Sequence, residues 1–393
     1  MLQRNKISIA CTLLSLFICS CKNSPEILSV PGKIPELPEN GTVASESVSF
    51  FRKNHVSFGK KSYSVLQLSE DCVLEVRNGQ YELKEGTVAE ILTKPKQKLK
   101  NIKYQTMLPS VTGSYSFFRM LVPKKFVPKS MEFNIKYLNG EKLQDSKNGN
   151  VYSYYENRNF DFYGVFLPFS PLYDSDHYFL SIQMAFDDGE EIAVYSTGKI
   201  KKGTFKEQTL NFPKGKSGEL ASASRKLYNK QQAARHELWR TVTQPLTKDV
   251  LQIAKPLDNT LRLTSDFCFT RKWFLSTGQL YSRDIHLGVD YGVPTGTPVY
   301  SLLDGVVVSS GLQELYGNMV IVDHGLGLYT NYCHMSERLK NADTLIKKSE
   351  TLGKVGMTGA ATGPHLHVEA RIYGIPIDYR KLEHLPELFV LGN

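Results

Sequence analysis

Between residues 46 and 215, apolar and polar positions alternate with the period of a strand rather than a helix. Phe133, Ile135 and Tyr137 alternate with Glu132, Asn134 and Lys136, and Asn139-Gly140 follows. A period of two puts the three large side chains on one face, and Asn-Gly accepts the positive φ angles of a tight hairpin. The same signal recurs at Asn78-Gly79, between Val73–Val76 and Tyr81–Leu83, and at Asp188-Gly189 after Phe179–Phe186. Short strands with turns at this spacing predict one or two β-sandwich or barrel-like modules. The aromatic set Tyr152, Tyr154, Tyr155, Phe160, Phe162, Tyr163 and Phe166 reads as core and cross-strand packing, ahead of a stacking face for sugar rings.

The period changes after residue 215. Leu220, Ala223, Leu227, Ala234 and Leu238 recur at helical spacing, with Pro245 beyond them, so residues 216–249 are expected to hold an amphipathic helix linking two β regions. Strand patterning returns over residues 250–385. Val299–Leu303 and Val306–Ser309 flank Asp304-Gly305, and Met319–Val322 and Leu328–Tyr332 flank Asp323-His-Gly-Leu-Gly327. Both read as hairpins of a compact antiparallel domain without a long helix. The fold class expected is mainly β.

The first residues follow a different logic. Arg4 and Lys6 precede an apolar run from Ile7 to Ile18, the anatomy of a secretory signal peptide and too short to span a bilayer. Residues 1–20 are therefore expected to be removed on export. Ile18-Cys19-Ser20-Cys21 resembles the lipobox of bacterial lipoproteins, with Cys21 as the lipidated residue and a membrane as partner through that anchor. Cys19 departs from the usual small or apolar residue, and ordinary cleavage near Ser20 is the alternative. Residues 21–45 carry Pro25, Pro31, Gly32, Pro35, Pro38 and Gly41, the composition of an extended tether. The expected location is the cell envelope.

Composition narrows the partners. The 393-residue chain is 41% hydrophobic and 22% charged, as soluble globular proteins are, with net charge +9. That charge suits an acidic polymer or an anionic membrane. The run from Lys94 to Lys103 is the nearest approach to a basic cluster and reads as solvated surface, so no nucleic-acid partner is expected. With Cys21 acylated, only Cys72, Cys268 and Cys333 remain after export, too few for a disulfide framework, although a Cys72–Cys268 bridge is conceivable.

The chemistry concentrates after residue 280. His286-Leu-Gly-Val-Asp290 offers two ligands, His365-Leu-His367 at least one more, and His334 lies between them in Tyr332-Cys-His-Met-Ser336. Positions i and i+2 share a face of a strand, and 286 and 290 are neighbours on either a strand or a helix. Gly288 keeps the space between those two free of a side chain. Two imidazoles and one carboxylate on a tetrahedral zinc leave a position open, which marks catalysis rather than support. The other histidines can then move a proton or bind a developing oxyanion. His55, His177, His236 and His384 lack such a context, and His324 lies in a turn; all five read as structural or surface residues.

At these positions the chain resembles the lysostaphin/LytM-type zinc metallopeptidases. The motifs are His286-Leu-Gly-Val-Asp290, Gly296-Thr-Pro-Val-Tyr-Ser301, Tyr332-Cys-His-Met-Ser336 and Gly359-Ala-Ala-Thr-Gly-Pro-His-Leu-His367. The resemblance implies an antiparallel β metallopeptidase domain, of duplicated-hybrid-motif type, with a groove floored by the sheet. It implies one zinc ion per chain on His286, Asp290 and His367, with His365 as base and His334 as transition-state donor. It implies peptide cross-bridges of peptidoglycan as substrate, hence stem peptides as partners; the groove loops decide which bond is cut. Two departures stand out. In Ser265-Asp-Phe-Cys-Phe-Thr-Arg271, Cys268 and Thr270 replace the family's Gly and Arg, and Cys333 is unusual at its place, where strand alternation points it away from His334.

Two alternatives remain at this stage. A non-catalytic envelope protein could bind peptidoglycan or activate other wall hydrolases, but such relatives look to have lost ligands, and here all five positions are filled. An iron(II) oxygenase also uses two His and a carboxylate, against which the export signal and the two extra histidines argue. The size of the N-terminal half and its helical connector make it a candidate to occlude the groove.

Overall fold

The computed structural model describes residues 111–384, except 140–141, 190, 212–224, 246–252, 259–261 and 276, and before them the backbone of seven short strands. Residues 1–20, Cys21 and Cys72 lie outside the described residues, as do Leu220 and Ala223 of the helical pattern. Within the expected tether, Ile27–Leu28 pairs with the strand Gln80–Lys84. These are adjacent β-formers in a Pro- and Gly-punctuated stretch, so that part is paired rather than free. No helix among the described residues is long and apolar enough to cross a membrane.

The first half is built from β1 (Tyr115–Pro123), β2 (Ser130–Asn139), β3 (Lys142–Asn150), β4 (Ser153–Glu156), β5 (Phe160–Pro168), β6 (His177–Ala185) and β7 (Glu191–Lys199). One sheet runs β3-β2-β6-β7 and continues through Val88–Leu92, Lys61–Gln67 and His55–Phe58; the other runs β4-β5-β1 and ends on Lys103–Met107. The three Asn-Gly and Asp-Gly signals each sit between paired antiparallel strands. Along β2, Met131, Phe133, Ile135 and Tyr137 are buried, as the alternation requires. The aromatic set serves packing: Tyr154, Phe162 and Phe166 are buried, and Phe117 meets Tyr154 and Phe166 edge-on at 5.4 and 4.9 Å.

Beyond β8 (Glu207–Asn211) and helix α1 (Arg225–Arg240), the second half contains β9 (Leu263–Ser265), β10 (Thr270–Phe274), β11 (Leu280–Ile285), β12 (Val289–Tyr291), β13 (Pro298–Tyr300), β14 (Gly305–Gln313) and β15 (Gly317–Asp323). It continues through β16 (Leu328–Met335), β17 (Glu337–Arg338), β18 (Leu345–Ile346), β19 (Thr351–Lys354), β20 (Leu366–Ile372) and β21 (Ile375–Ile377). The main sheet has the order β9-β12-β20-β16-β15-β14-β18, with β21 also on β20. The predicted β15–β16 hairpin forms around Asp323–Gly327.

The Asp304-Gly305 hairpin does not form. β13 pairs with β19 in a separate sheet, while β14 pairs with β15 and β18. The reason is the side chain of Asp304, which accepts the Lys348 backbone N–H and the Lys347 ammonium and so anchors a distant loop. Gly305 is needed for closeness instead: a Cβ there would lie 2.4 Å from the Asp323 carbonyl oxygen.

Three features tie the halves together around the groove. β8 pairs in parallel with β10. The Phe166 N–H donates to the Tyr373 hydroxyl at 3.2 Å, and the Tyr373 ring lies 4.9 Å from that of Phe133. Helix α1 lies over the main sheet, where Trp239 joins Met319, Ile321, Tyr329 and Cys333 in a buried cluster. The helix exists where the period placed it, but its inward face differs: Leu227 is exposed, while Arg235 and Trp239 are buried. The sheet surface beneath offers aromatic rings and polar partners, which suit Trp and Arg better than aliphatic side chains.

Candidate metal centre and cleft

Asp290 on β12 stands opposite His367 on β20. Directly paired residues share a sheet face, so carboxylate and imidazole project together. His286 directly follows β11, and its backbone is clamped by the preceding turn: its N–H donates to the Phe269 carbonyl at 3.0 Å and its carbonyl accepts the Cys268 N–H at 2.7 Å. Cys268 sits in that turn at φ 60, the left-handed region that favours glycine. The turn is thus kept without glycine, with backbone strain held by a buried side chain and two clamping hydrogen bonds. Cys268 and Cys333 are both free, buried thiols.

Three donor atoms converge here. His286 Nε2 lies 3.1 Å from Asp290 Oδ1 and 3.0 Å from His367 Nδ1, and His367 Nδ1 lies 2.6 Å from Asp290 Oδ1. Bonds of about 2.0–2.1 Å in a tetrahedral zinc site separate donors by about 3.3 Å, so the ion is admitted when these pairs open by roughly 0.2 to 0.7 Å, the His367–Asp290 pair most. Among the described residues these three form the group able to hold a metal.

The surroundings fix each donor. The His286 Nδ1–H donates to the Asp266 carbonyl at 2.8 Å, and the Ser265 hydroxyl lies 3.2 Å away. The His367 Nε2–H donates to Glu369 Oε1 at 3.2 Å. Arg271 donates to Asp290 Oδ2 at 2.5 Å and to Ser265 Oγ at 2.9 Å. Glu369 is buried, and its other oxygen takes hydrogen bonds from Asn331 and Arg371, each at 2.9 Å. Such outer partners orient ligands and set their basicity.

Electrostatics follow from this arrangement. Burial alone would lower His367, but the Asp290 and Glu369 carboxylates outweigh it and hold it at about 9. Burial would raise Asp290, yet the two imidazoles keep it well below the usual carboxylate range. Burial would also raise Glu369, and Arg371 first and His367 second push it down instead. A carboxylate pair focused on one point favours a cation there.

His334 and His365 stand beside the triad with ring centroids 4.6 Å apart, and His334 is 5.9 Å from His367. The His334 Nδ1–H donates to the Thr358 carbonyl and the His365 Nδ1–H to the Gly363 carbonyl, each at 2.8 Å, so each Nε2 is left as an acceptor, that of His365 lying 3.9 Å from Asp290 Oδ1. Burial, then the neighbouring His365 and His367, pulls His334 down to about 3. Burial also lowers His365, against the pull of Asp290.

Simple alternation does not produce this placement. β16 carries one extra residue between its pairings of Tyr332 with Val320 and Met335 with Asn318, a bulge that reverses the facing, and His334 has φ 59. Cys333, expected to point away from His334, stands opposite His367 on the same face. Its thiol is buried in the Trp239 cluster and is not one of the convergent donors. His324 is buried away from the site, and His236 stacks edge-on with Trp239 at 5.6 Å. The side chains of His55, His177 and His384 fall outside the described residues.

The five residues open on a cleft of about 740 Å³, with His334, His365 and His367 on its wall. Its lining also includes Leu172, Gln208 and Leu210 from the N-terminal half and Tyr228 from α1. Sequence reasoning gave no role to Arg271 or Glu369. A usable signal existed for Glu369, two residues after His367 and so on the same strand face.

Comparison with known proteins gives a concordant picture. The model of Peptidase family M23 matches residues 284–379. The DD-carboxypeptidase/endopeptidase Mpg of Neisseria meningitidis is 41% identical over 117 residues, which are 30% of this chain and 26% of that protein. The peptidoglycan DD-endopeptidase ShyC of Vibrio cholerae is 38% identical over 135 residues, 34% of this chain and 30% of that protein. The chain thus spans less than a third of the length of these relatives. The catalytic domain of the antimicrobial peptidase lysostaphin from Staphylococcus simulans is 27% identical, covering 25% of this chain and 79% of that one with a TM-score of 0.24.

Proposed function

We propose, because residues 284–379 match the model of Peptidase family M23, that this chain is a zinc-dependent endopeptidase that hydrolyses the peptide cross-bridges of bacterial peptidoglycan. The observation that carries the reading is the convergence of His286 Nε2, Asp290 Oδ1 and His367 Nδ1, with both second imidazole nitrogens tied to acceptors. The named activities of Mpg and ShyC support the same substrate class.

His286, Asp290 and His367 would hold the ion. When bound, zinc supplies Lewis acidity that polarises a carbonyl and lowers the pKa of water. The chain's own residues handle the protons. His365, only partly buried and with its Nε2 unprotonated, accepts the proton of the attacking water and returns it to the amine nitrogen as the C–N bond breaks. His334 has its Nδ1–H committed to Thr358, so it donates from Nε2 only after taking a second proton. Negative charge developing on the scissile carbonyl favours that imidazolium and offsets the burial that opposes it. Arg271 neutralises the outer oxygen of Asp290 and keeps it aimed.

Export through residues 1–20 and acylation of Cys21 complete the proposal, with the cell envelope as the location. The test is a zymogram on purified peptidoglycan with His286→Ala as control. Clearing by the unmodified chain, abolished in the variant, is expected. Clearing by both, or by neither with zinc present, overturns the reading.

A further inference from the structure

A second chamber of about 240 Å³ adjoins the metal cleft, sharing Leu172, Tyr228, Leu287 and Tyr316 with its wall. Helix α1, the N-terminal half and the main sheet all contribute to it. Its cations are unevenly balanced. Lys147 pairs with Asp145 at 2.6 Å and Arg371 with Glu369 at 2.9 Å, whereas no carboxylate among the described residues pairs with Arg235.

Arg235 is 3% exposed. One terminal nitrogen donates to Gln313 Oε1 at 2.6 Å, and its Nε–H has no partner. Tyr316 lies under the guanidinium at 4.9 Å from its ring centroid, with Tyr228 and Trp239 at 6.0 Å. Three aromatic faces offset part of the cost of burying this charge. They leave the Nε–H side of its planar fork of donors, a fork that matches a carboxylate, without a partner. Burial and then Arg371, Arg240, Arg235 and Lys147 all act to keep His236 neutral, a sign of positive potential across the chamber. A single aromatic ring separates this charge from the metal site, since Tyr316 is also 6.1 Å from His367.

We propose that this chamber is an anion subsite in which Arg235 receives a carboxylate of the peptide bound across the cleft. The inference rests on the proposed peptidase reading, because a peptide's free end carries such a group. It would set the distance between the substrate's free carboxylate and the bond cut, and so select among cross-bridges.

The experiment is calorimetric titration of the full-length chain with N-acetyl-D-alanyl-D-alanine and with its C-terminal amide, in EDTA and again with zinc. The acid is expected to bind roughly tenfold or more tightly than the amide, as a charge-assisted hydrogen-bonded pair should. Arg235→Gln should bind both peptides alike, while Arg235→Lys keeps part of the preference. Equal binding of acid and amide by the unmodified chain overturns the inference, and this comparison needs no variant to fold. A full preference surviving in Arg235→Gln also overturns it, because the carboxylate then sits elsewhere. Loss of peptidoglycan hydrolysis beside an intact, Arg235-dependent preference overturns the peptidase reading and leaves the anion subsite standing.

Discussion

At position 288 no side chain fits: a Cβ would lie 2.6 Å from both His367 Cε1 and the Val368 carbonyl oxygen. Gly288→Ala must push the His367 ring, and overpacking of this kind costs about 1–3 kcal/mol. The cost falls on a ligand, so zinc affinity measured by chelator competition should drop roughly tenfold or more; unchanged affinity would contradict the geometry. His324 illustrates a different residue-scale effect. Its Nδ1–H donates to the Asp304 carbonyl, its Nε2 accepts from Thr330, each at 2.7 Å, and burial pulls it down to about 4. Between pH 6.5 and 4 the unfolded chain therefore binds a proton that the native one refuses, and stability falls as pH falls through that window by about 3 kcal/mol. Denaturant unfolding of the metal-free protein at pH 7 and 4.5 should show a loss smaller by about 2 kcal/mol in His324→Gln; equal losses would count against the assignment. Local spacing in the sequence set 286 beside 290 and 365 beside 367, and the family resemblance implied the donor set; its convergence rests on the pairing of β12 with β20. The facing of His334 and Cys333 was not legible there, since it depends on a bulge and a positive φ that no periodicity encodes. Nor was the role of Arg271, which depends on which strands become neighbours.

Among the elements, the hairpins with Asn-Gly or Asp-Gly between alternating strands were readable because turn chemistry and strand period agree. Asp304-Gly305 carried half of that signal and misled, as its carboxylate serves a distant loop. Helix α1 was readable in existence and not in orientation, because its buried face is made of Arg235 and Trp239 rather than its aliphatic residues. Two substitutions separate the faces. Trp239→Ala removes a buried indole that stacks on Arg371 at 4.1 Å and donates to Asn331 at 3.3 Å, and should cost about 3–5 kcal/mol. Leu227→Ala, at a side chain 47% exposed, should stay within about 0.5 kcal/mol. Urea unfolding midpoints reversed in order would refute this orientation of the helix.

For the whole molecule, the two halves share an apolar cluster running from Tyr115 through Tyr373 to Leu382. A fragment of residues 250–393 loses β8 from the edge of β10, Trp239 from the sheet, and the cover of Phe133 and Phe166 on Tyr373. It should unfold at least about 5 °C below the full chain in scanning calorimetry; an equal or higher transition would mean that the halves are energetically independent. The proposed activity of the molecule turns on metal held by two imidazoles and a carboxylate beside two further imidazoles that handle protons. The most direct test is zinc content by mass spectrometry, with peptidoglycan hydrolysis, for alanine variants of His286, Asp290, His334, His365 and His367. One zinc per chain in the unmodified protein, lost on changing His286, Asp290 or His367 and kept without His334 or His365, with hydrolysis lost in all five, is the expected result. Zinc retained without His286 and Asp290, or hydrolysis retained without His365, would contradict it.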